Sequence, residues 1–186
     1  PRGGVVVGAQ VASRLGLPLD VIIPRKIGAP HNPEVAVGAV AQDGTVLYDY
    51  YSLAVLGLKE EDLRPQVEQI LQEIDRRLRM YRGDEPLPNL GGRTVILTDD
   101  GIATGYTVLA ALRSLRTQNP REIVLAVPVA PPETVDLLRP EVDEVVCLLQ
   151  PTPFYAVGQF YKSFPQVDDA EVLSLLAAHK APRGSE

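Results

Sequence analysis

Apolar positions along the chain change period several times, and each change marks an element. From residue 59 to 82, Leu63, Val67, Ile70, Leu71, Ile74, Leu78 and Tyr81 recur at intervals of three and four, which predicts one long amphipathic helix stopped by Gly83. Glu60, Glu61 and Asp62 open this helix and Arg76, Arg77, Arg79 and Arg82 close it. That distribution complements the helix dipole, so the charges need no ligand to explain them. Thr94 to Thr98 predicts a short strand, and "GYTVLAALRSLR" predicts a helix with Val108, Leu109, Leu112 and Leu115 facing inward. "EIVLAVPVA", "PPETVDLLRP" and "EVVCLL" continue as strand, helix and strand. Such alternation is the rhythm of a parallel sheet flanked by helices, an α/β fold. Residues 168–180 predict a terminal helix.

The first third is less regular. "DVIIPRKI", residues 20–27, reads as a strand broken by Pro24 and ending where Arg25 and Lys26 emerge. Residues 28–57 hold turn chemistry in "GAPHNPE" and then two short strands around an Asp-Gly turn, which predicts a hairpin or mobile flap. Near the start, "VVV" has strand propensity. Val7, Val11 and Leu15 are nevertheless spaced by four, which predicts a helix running to Leu15 with "RGG" as a loop at its N-terminus. Such a loop suits an anion.

Composition narrows the functional classes. With 186 residues and 45% hydrophobic content, the chain is long enough to bury a core and is expected to form a single domain over residues 1–186. A net charge of −6, from 18 basic and 24 acidic residues, disfavours a broad electrostatic grip on nucleic acid or an anionic membrane. Any anion is therefore met by a local site. The one cysteine, Cys147, has no partner in the chain, and His31 and His179 are not at a metal-ligand spacing. With no signal-peptide pattern and no apolar run of the roughly 20 residues that span a bilayer, the expected compartment is the cytoplasm. The chain opens on "PRGG" without methionine, so a further upstream segment is expected.

The chemistry concentrates in "VILTDDGIATGYT", residues 95–107. In open α/β sheets ligands bind beyond the carboxyl ends of strands, and residues 99–107 lie at such a place between a strand and a helix. Successive backbone N–H groups, the helix N-terminus and the Thr104 and Thr107 hydroxyls are suited to a phosphate, with Gly101 and Gly105 allowing close approach. Asp99 and Asp100 repel that same phosphate and must face something else. Sugar hydroxyls or a divalent cation would suit them. Together these features indicate a phosphorylated sugar.

At this point the residues carry a resemblance. "VILTDDGIATGYT" resembles the phosphoribosyl pyrophosphate (PRPP) signature of type I phosphoribosyltransferases, and "PRGG", "RKIGAPHNPE" and "PFYAVGQFY" resemble, in order, blocks of a bacterial group of phosphoribosyltransferases of unsettled acceptor. The resemblance implies a Rossmann-like parallel sheet with a flap, here 28–57, and a small C-terminal hood, here 150–165. It implies that Asp99 and Asp100 meet the ribose hydroxyls, while Gly101, Ile102, Ala103, Thr104, Gly105, Tyr106 and Thr107 hold the 5′-phosphate. Arg2, Gly3 and Gly4 resemble the pyrophosphate loop, where a cis peptide is common in the family, and Lys26 with Arg25 is placed at the pyrophosphate oxygens. Phe154 or Tyr155 would stack on a flat acceptor and Gln159 would read its edge. The implied cofactor is Mg2+, held mainly by PRPP rather than by a protein cage. The implied partners are PRPP and a nucleobase-like acceptor, without nucleic acid or membrane, and many relatives form homodimers.

Two departures stand out. Tyr106 fills a position often small in the family, and the strand expected before "PRGG" is absent from this sequence. The rival readings are a non-catalytic module that senses PRPP or a nucleotide, one domain of a larger fusion enzyme, and a phosphatase-like site. The last lacks a convincing second acidic cluster.

Overall fold

A computed structural model describes residues 2–180; Pro1 of the "PRGG" block and residues 181–186 lie outside them. Contacts divide the chain into two compact units. One holds the N-terminal segment to Val21, then Thr94–Thr104, then everything from Glu122; the other holds Ile22–Arg93 and Gly105–Arg121.

The first unit is built on a parallel sheet of β4 (Thr94–Thr98), β5 (Glu122–Val129) and β6 (Glu144–Leu149), in that order. Val95 pairs with Ile123 and Leu125 with Val145. Central β5 buries every second residue, Ile123, Leu125, Val127 and Val129, as period-2 side-chain alternation requires. Parallel neighbours need a crossover, and between β5 and β6 it is α5 (Pro132–Leu138), which buries Val135 and Leu138. Edge strand β6 is far more exposed than a core strand: Leu148 keeps 75% of its surface and Cys147 is only half-buried. After β6 comes a 3-10 turn, Val157–Phe160, and then α6 (Asp169–Ala178).

Helix α1 (Gly3–Leu15) forms as the spacing predicts, but its buried stripe is Gly4, Val5, Gly8, Ala9 and Ala12 rather than Val7, Val11 and Leu15. Small residues let it approach its neighbours closely. A Cβ at Gly8 would stand 2.9 Å from Leu19 Cδ1 and 3.3 Å from Thr98 Cγ2. Gly3 and Gly4 belong to the first helical turn, so "RGG" is not a free loop. His179 joins the two ends of the unit: its Nε2 is 2.7 Å from Ser13 Oγ, and its backbone oxygen accepts from Leu19 N–H at 3.0 Å.

The second unit carries an antiparallel sheet, β1 (Arg25–Ala29), β2 (Asn32–Val40) and β3 (Val46–Tyr48). Strand β1 starts at the basic pair rather than ending there. Pro24 has no N–H to offer the ladder, and Ile23 N–H donates instead to Gln42 Oε1 at 3.2 Å. Successive residues Ala39, Val40 and Ala41 are all fully buried, so both sheet faces are covered at that end. Helix α3 (Glu60–Arg82) packs on β1 and β2, and α4 (Tyr106–Arg116) on all three strands. Burial of Leu63 and Ile74 on α3 contributes roughly 1.5–3 kcal/mol each. Within the segment read as a flap, residues 28, 29, 37–41 and 53 are buried, while the β1–β2 tip, residues 30–35, and residues 43–44, 50–51 and 54–57 are exposed.

Tyr50 and Tyr51, read as the end of a strand, instead open helix α2 (Tyr50–Leu56). Asp49 caps it, accepting from Tyr51 N–H at 3.2 Å, Ser52 N–H at 3.3 Å and Ser52 Oγ–H at 2.6 Å. Tyr106 hydrogen-bonds the same carboxylate, and its ring packs on Ala39, Ala41 and Ala110. Among the described residues no helix is long and apolar enough to cross a membrane.

Replacing Asp49 by Ala removes the cap and the Tyr106 partner together. The expected loss is about 1–2 kcal/mol, read as a fall of roughly 2–8 °C in the thermal midpoint. An unchanged midpoint would show that neither bond contributes in solution.

Candidate functional site

The end of β4 and the start of α1 meet in the first unit. Asp99 and Asp100 follow β4 directly, and the first turn of α1 lies against both. A Cβ at Gly4 would stand 2.6 Å from Asp99 Oδ1 and 3.2 Å from Asp99 Cα; a Cβ at Gly3 would collide with Asp100 Oδ2 and lie 2.9 Å from its Cγ. The contact exists because neither residue has a side chain. Arg2 caps the helix at φ 64° and ψ −98°, a region closed to ordinary L-residues that costs on the order of 1–3 kcal/mol. The cis peptide bond among the described residues is Thr152–Pro153, in the segment read as a hood, not in "RGG".

Both aspartates are half-buried and adjacent, and their protonation reflects it. Burial pushes the Asp99 carboxyl above its ordinary range, partly offset by Asp100 N–H, which donates to Asp99 Oδ1 at 2.9 Å. Burial, and then the charge on Asp99, push Asp100 up to about 6. The pair is held in a state that hydrogen-bond donors or a positive charge would relieve.

Beyond them, Gly101 and Ile102 are buried while Ala103 and Thr104 are exposed. Ile102 is an anchor rather than a phosphate donor: its N–H donates to the Val129 carbonyl at 3.0 Å. Thr134 Oγ1 donates to the Ala103 carbonyl at 2.6 Å and ties the same loop to α5. Gly105 takes φ 85°, which glycine tolerates, and opens α4 at Tyr106, with Thr107 half-buried in its first turn. The first N–H groups of a helix lack intrahelical partners, so this N-terminus has anion-binding character.

In the second unit, strand alternation sends the two cations of β1 to different tasks. Arg25 Nη2 pairs with Glu73 Oε2 at 3.1 Å, and Glu73 also meets Arg77 at 3.4 Å. Lys26 remains half-exposed, 3.6 Å from Glu34 Oε2 at the hairpin tip. Exposed pairs of this kind are worth roughly 0–1 kcal/mol, so Lys26 is readily released to another anion.

In the segment after β6, Phe154 packs on Phe160 with ring centroids 5.0 Å apart, while Tyr155 is 82% exposed. Gln159 Oε1 accepts from Tyr155 N–H at 2.9 Å and Ala156 N–H at 3.0 Å, so that oxygen shapes the turn and only the amide nitrogen is left to meet a ligand. Tyr161, given no role from sequence, donates its hydroxyl to the Asp100 carbonyl. No sequence pattern marks such a bond.

The sequence profile of the phosphoribosyl transferase domain matches residues 1–161. Two proteins of Mycobacterium tuberculosis, from strains CDC 1551 and H37Rv and each named "Putative phosphoribosyl transferase", are 41% identical over 182 residues. The match covers 97% of this chain and 41% of each of theirs, so the chain spans about two fifths of the length of the curated relatives it matches. The crystal structure of TT1426 from Thermus thermophilus is similar at 41% identity and a TM-score of 0.79, over 97% of this chain and 86% of that one.

Two outcomes follow from the aspartate geometry. In urea unfolding, Gly4→Ala is expected to cost about 1–3 kcal/mol because the Asp99 backbone must move, whereas Gly3→Ala meets only a side chain able to rotate away and is expected to lie near neutral. Equal losses would contradict the contact. Asp100 titrates higher folded than unfolded, so its contribution to stability is full below about pH 4 and is lost as pH rises through about 6. Asp100→Asn removes that loss. Its thermal midpoint relative to the native chain should therefore climb between those pH values, and a flat difference would refute the shift.

Proposed function

This chain belongs to the phosphoribosyl transferase family, and we propose that it moves the phosphoribosyl group from PRPP to a nucleobase-like acceptor with release of pyrophosphate. The observation that carries the proposal is the half-buried Asp99–Asp100 pair at the end of β4, pressed against the glycine turn of α1 and followed by a loop that opens a helix. Carboxylates accept hydrogen bonds and repel phosphate, so the pair selects the sugar hydroxyls while the loop takes the 5′-phosphate.

In the reaction a ring nitrogen of the acceptor forms a bond to the anomeric carbon as the bond from that carbon to pyrophosphate oxygen breaks. The bonding electrons leave with pyrophosphate, and the acceptor nitrogen gives up a proton. Positive charge develops on the ribose in the transition state, and carboxylates bonded to the hydroxyls hold the sugar in place and favour that charge. Lys26 is assigned to the pyrophosphate, whose departure its ammonium would assist. The exposed Tyr155 ring and the Phe154–Phe160 pair are assigned to a flat acceptor.

Magnesium fits this donor set. Among the described residues no group of three or more His, Cys, Asp or Glu side chains is placed to cage a metal. Two crowded carboxylates beside a pyrophosphate-bearing sugar suit a cation carried mostly by substrate oxygens. Such an ion supplies neutralisation of the leaving group's charge.

The test is pyrophosphate release from PRPP across a panel of nucleobases, with and without acceptor and with and without a chelator. One acceptor is expected to give release that chelation abolishes and Asp100→Asn reduces about 10- to 100-fold. Tight PRPP binding without release for any acceptor would replace the transferase with a sensor.

A further inference from the structure

The segment after β6 packs back onto the turn that carries the aspartates. Val157 lies over Gly101 so closely that a Cβ there would stand 2.6 Å from Val157 Cγ1. Phe164 covers Gly158 in the same way, with Cδ1 2.9 Å from the Cβ position, and the Tyr161 ring meets Phe164 at a centroid distance of 5.0 Å. From this apolar contact the Tyr161 hydroxyl reaches out and donates to the Asp100 carbonyl at 2.6 Å.

The identity of that acceptor matters. The Asp100 carbonyl and the Gly101 N–H belong to one planar trans peptide and point in opposite directions, so holding one aims the other. Gly101 N–H donates to the Asp100 carboxylate. Hydroxyl, carbonyl, peptide plane, N–H and carboxylate therefore form one mechanical series. Glycine is the most permissive residue at which to hold such a plane, so an outside grip has an effect here that it would lack at a β-branched position. Burial and the charges of Asp100 and Asp99 keep the Tyr161 phenol protonated and hence a donor.

Tyr161 is itself firmly held. Its N–H donates to the Gly158 carbonyl at 3.2 Å, and Gln159 closes the preceding turn by binding the Tyr155 and Ala156 N–H groups. We propose that Tyr161 is a positioning residue for Asp100, its hydroxyl acting through the 100–101 peptide to aim the Asp100 carboxylate at the donor's ribose hydroxyls. The assignment rests on the transferase reading above and deepens it, because it makes the segment assigned to the acceptor a support of the donor site.

Tyr161→Phe keeps the ring on Phe164 and removes only the hydroxyl, while Phe164→Leu disturbs the ring contact and keeps the hydroxyl. Each full-length chain is titrated calorimetrically with PRPP and magnesium in the absence of acceptor, and the Gly101 amide resonance is followed in the ligand-free protein. Tyr161→Phe is expected to weaken PRPP about 3- to 10-fold and to move the Gly101 resonance, with the thermal midpoint lower by about 1–6 °C for the lost hydrogen bond, and Phe164→Leu is expected to alter neither the affinity nor that resonance. An unchanged PRPP affinity in Tyr161→Phe overturns the proposal, as does an equal loss in Phe164→Leu, which would assign the effect to ring packing. If the native chain binds no PRPP, the transferase reading fails, and the hold on Asp100 is then judged on the amide alone: an unmoved Gly101 resonance overturns it.

Discussion

The site depends on how closely a helix can approach the end of a strand. The first turn of α1 reaches Asp99 and Asp100 because Gly3 and Gly4 present only backbone there, and any side chain at either position would meet a carboxylate. Glycine inside a helix ordinarily costs about 1 kcal/mol relative to alanine. Here that local penalty is the condition for the tertiary contact. The same approach sets the positive end of α1 beside two acids, a partial compensation for crowding them.

The compensation is incomplete, and the remainder has chemical meaning. Burial raises both carboxyls and the charge on Asp99 raises Asp100 further, while Arg2 sits in an unfavourable backbone region at the start of α1. Groups held away from their preferred state cluster where a ligand is meant to supply what is missing. The anchors around the turn keep it from relaxing: Ile102 N–H on Val129, Thr134 on Ala103, and Tyr161 on Asp100. Preorganisation of this kind lets binding energy go into charge stabilisation rather than ordering.

Much of this was legible in the sequence, for definite reasons. Strand β4, the loop and α4 could be read because an apolar run, two acids and spaced glycines each have one dominant physical interpretation, and α3 because its period is sustained over 23 residues. Pro24 misplaced β1, since proline is compatible with either side of a strand boundary, and the ladder decided which. Helix α2 was hidden by the β-propensity of paired tyrosines, although Asp49 before them and Gly57 after them are cap signals. The packing face of α1 escaped because glycine and alanine carry little weight in a hydrophobic period yet allow the closest contacts. The adjacent cations Arg25 and Lys26 looked like one feature; pleating sends one to Glu73 and the other outward. Tyr161 was invisible because a hydroxyl bonded to a main-chain oxygen leaves no spacing to detect.

That last bond also bears on how such a site can diverge. Tyr161 addresses a carbonyl that every amino acid carries, so its grip does not depend on which side chain stands at position 100. Within residues 154–160, Phe154 packs on Phe160 and Gln159 binds two amides, whereas Val157 is tied to the aspartate turn by its contact with Gly101. A substitution at the exposed Tyr155 therefore leaves the Asp99–Asp100 turn its form, whereas one at Val157 reaches it. Two contacts, one apolar at Val157 and one a hydroxyl at Tyr161, thus tie the form of the aspartate turn to a segment whose other side chains serve their own fold.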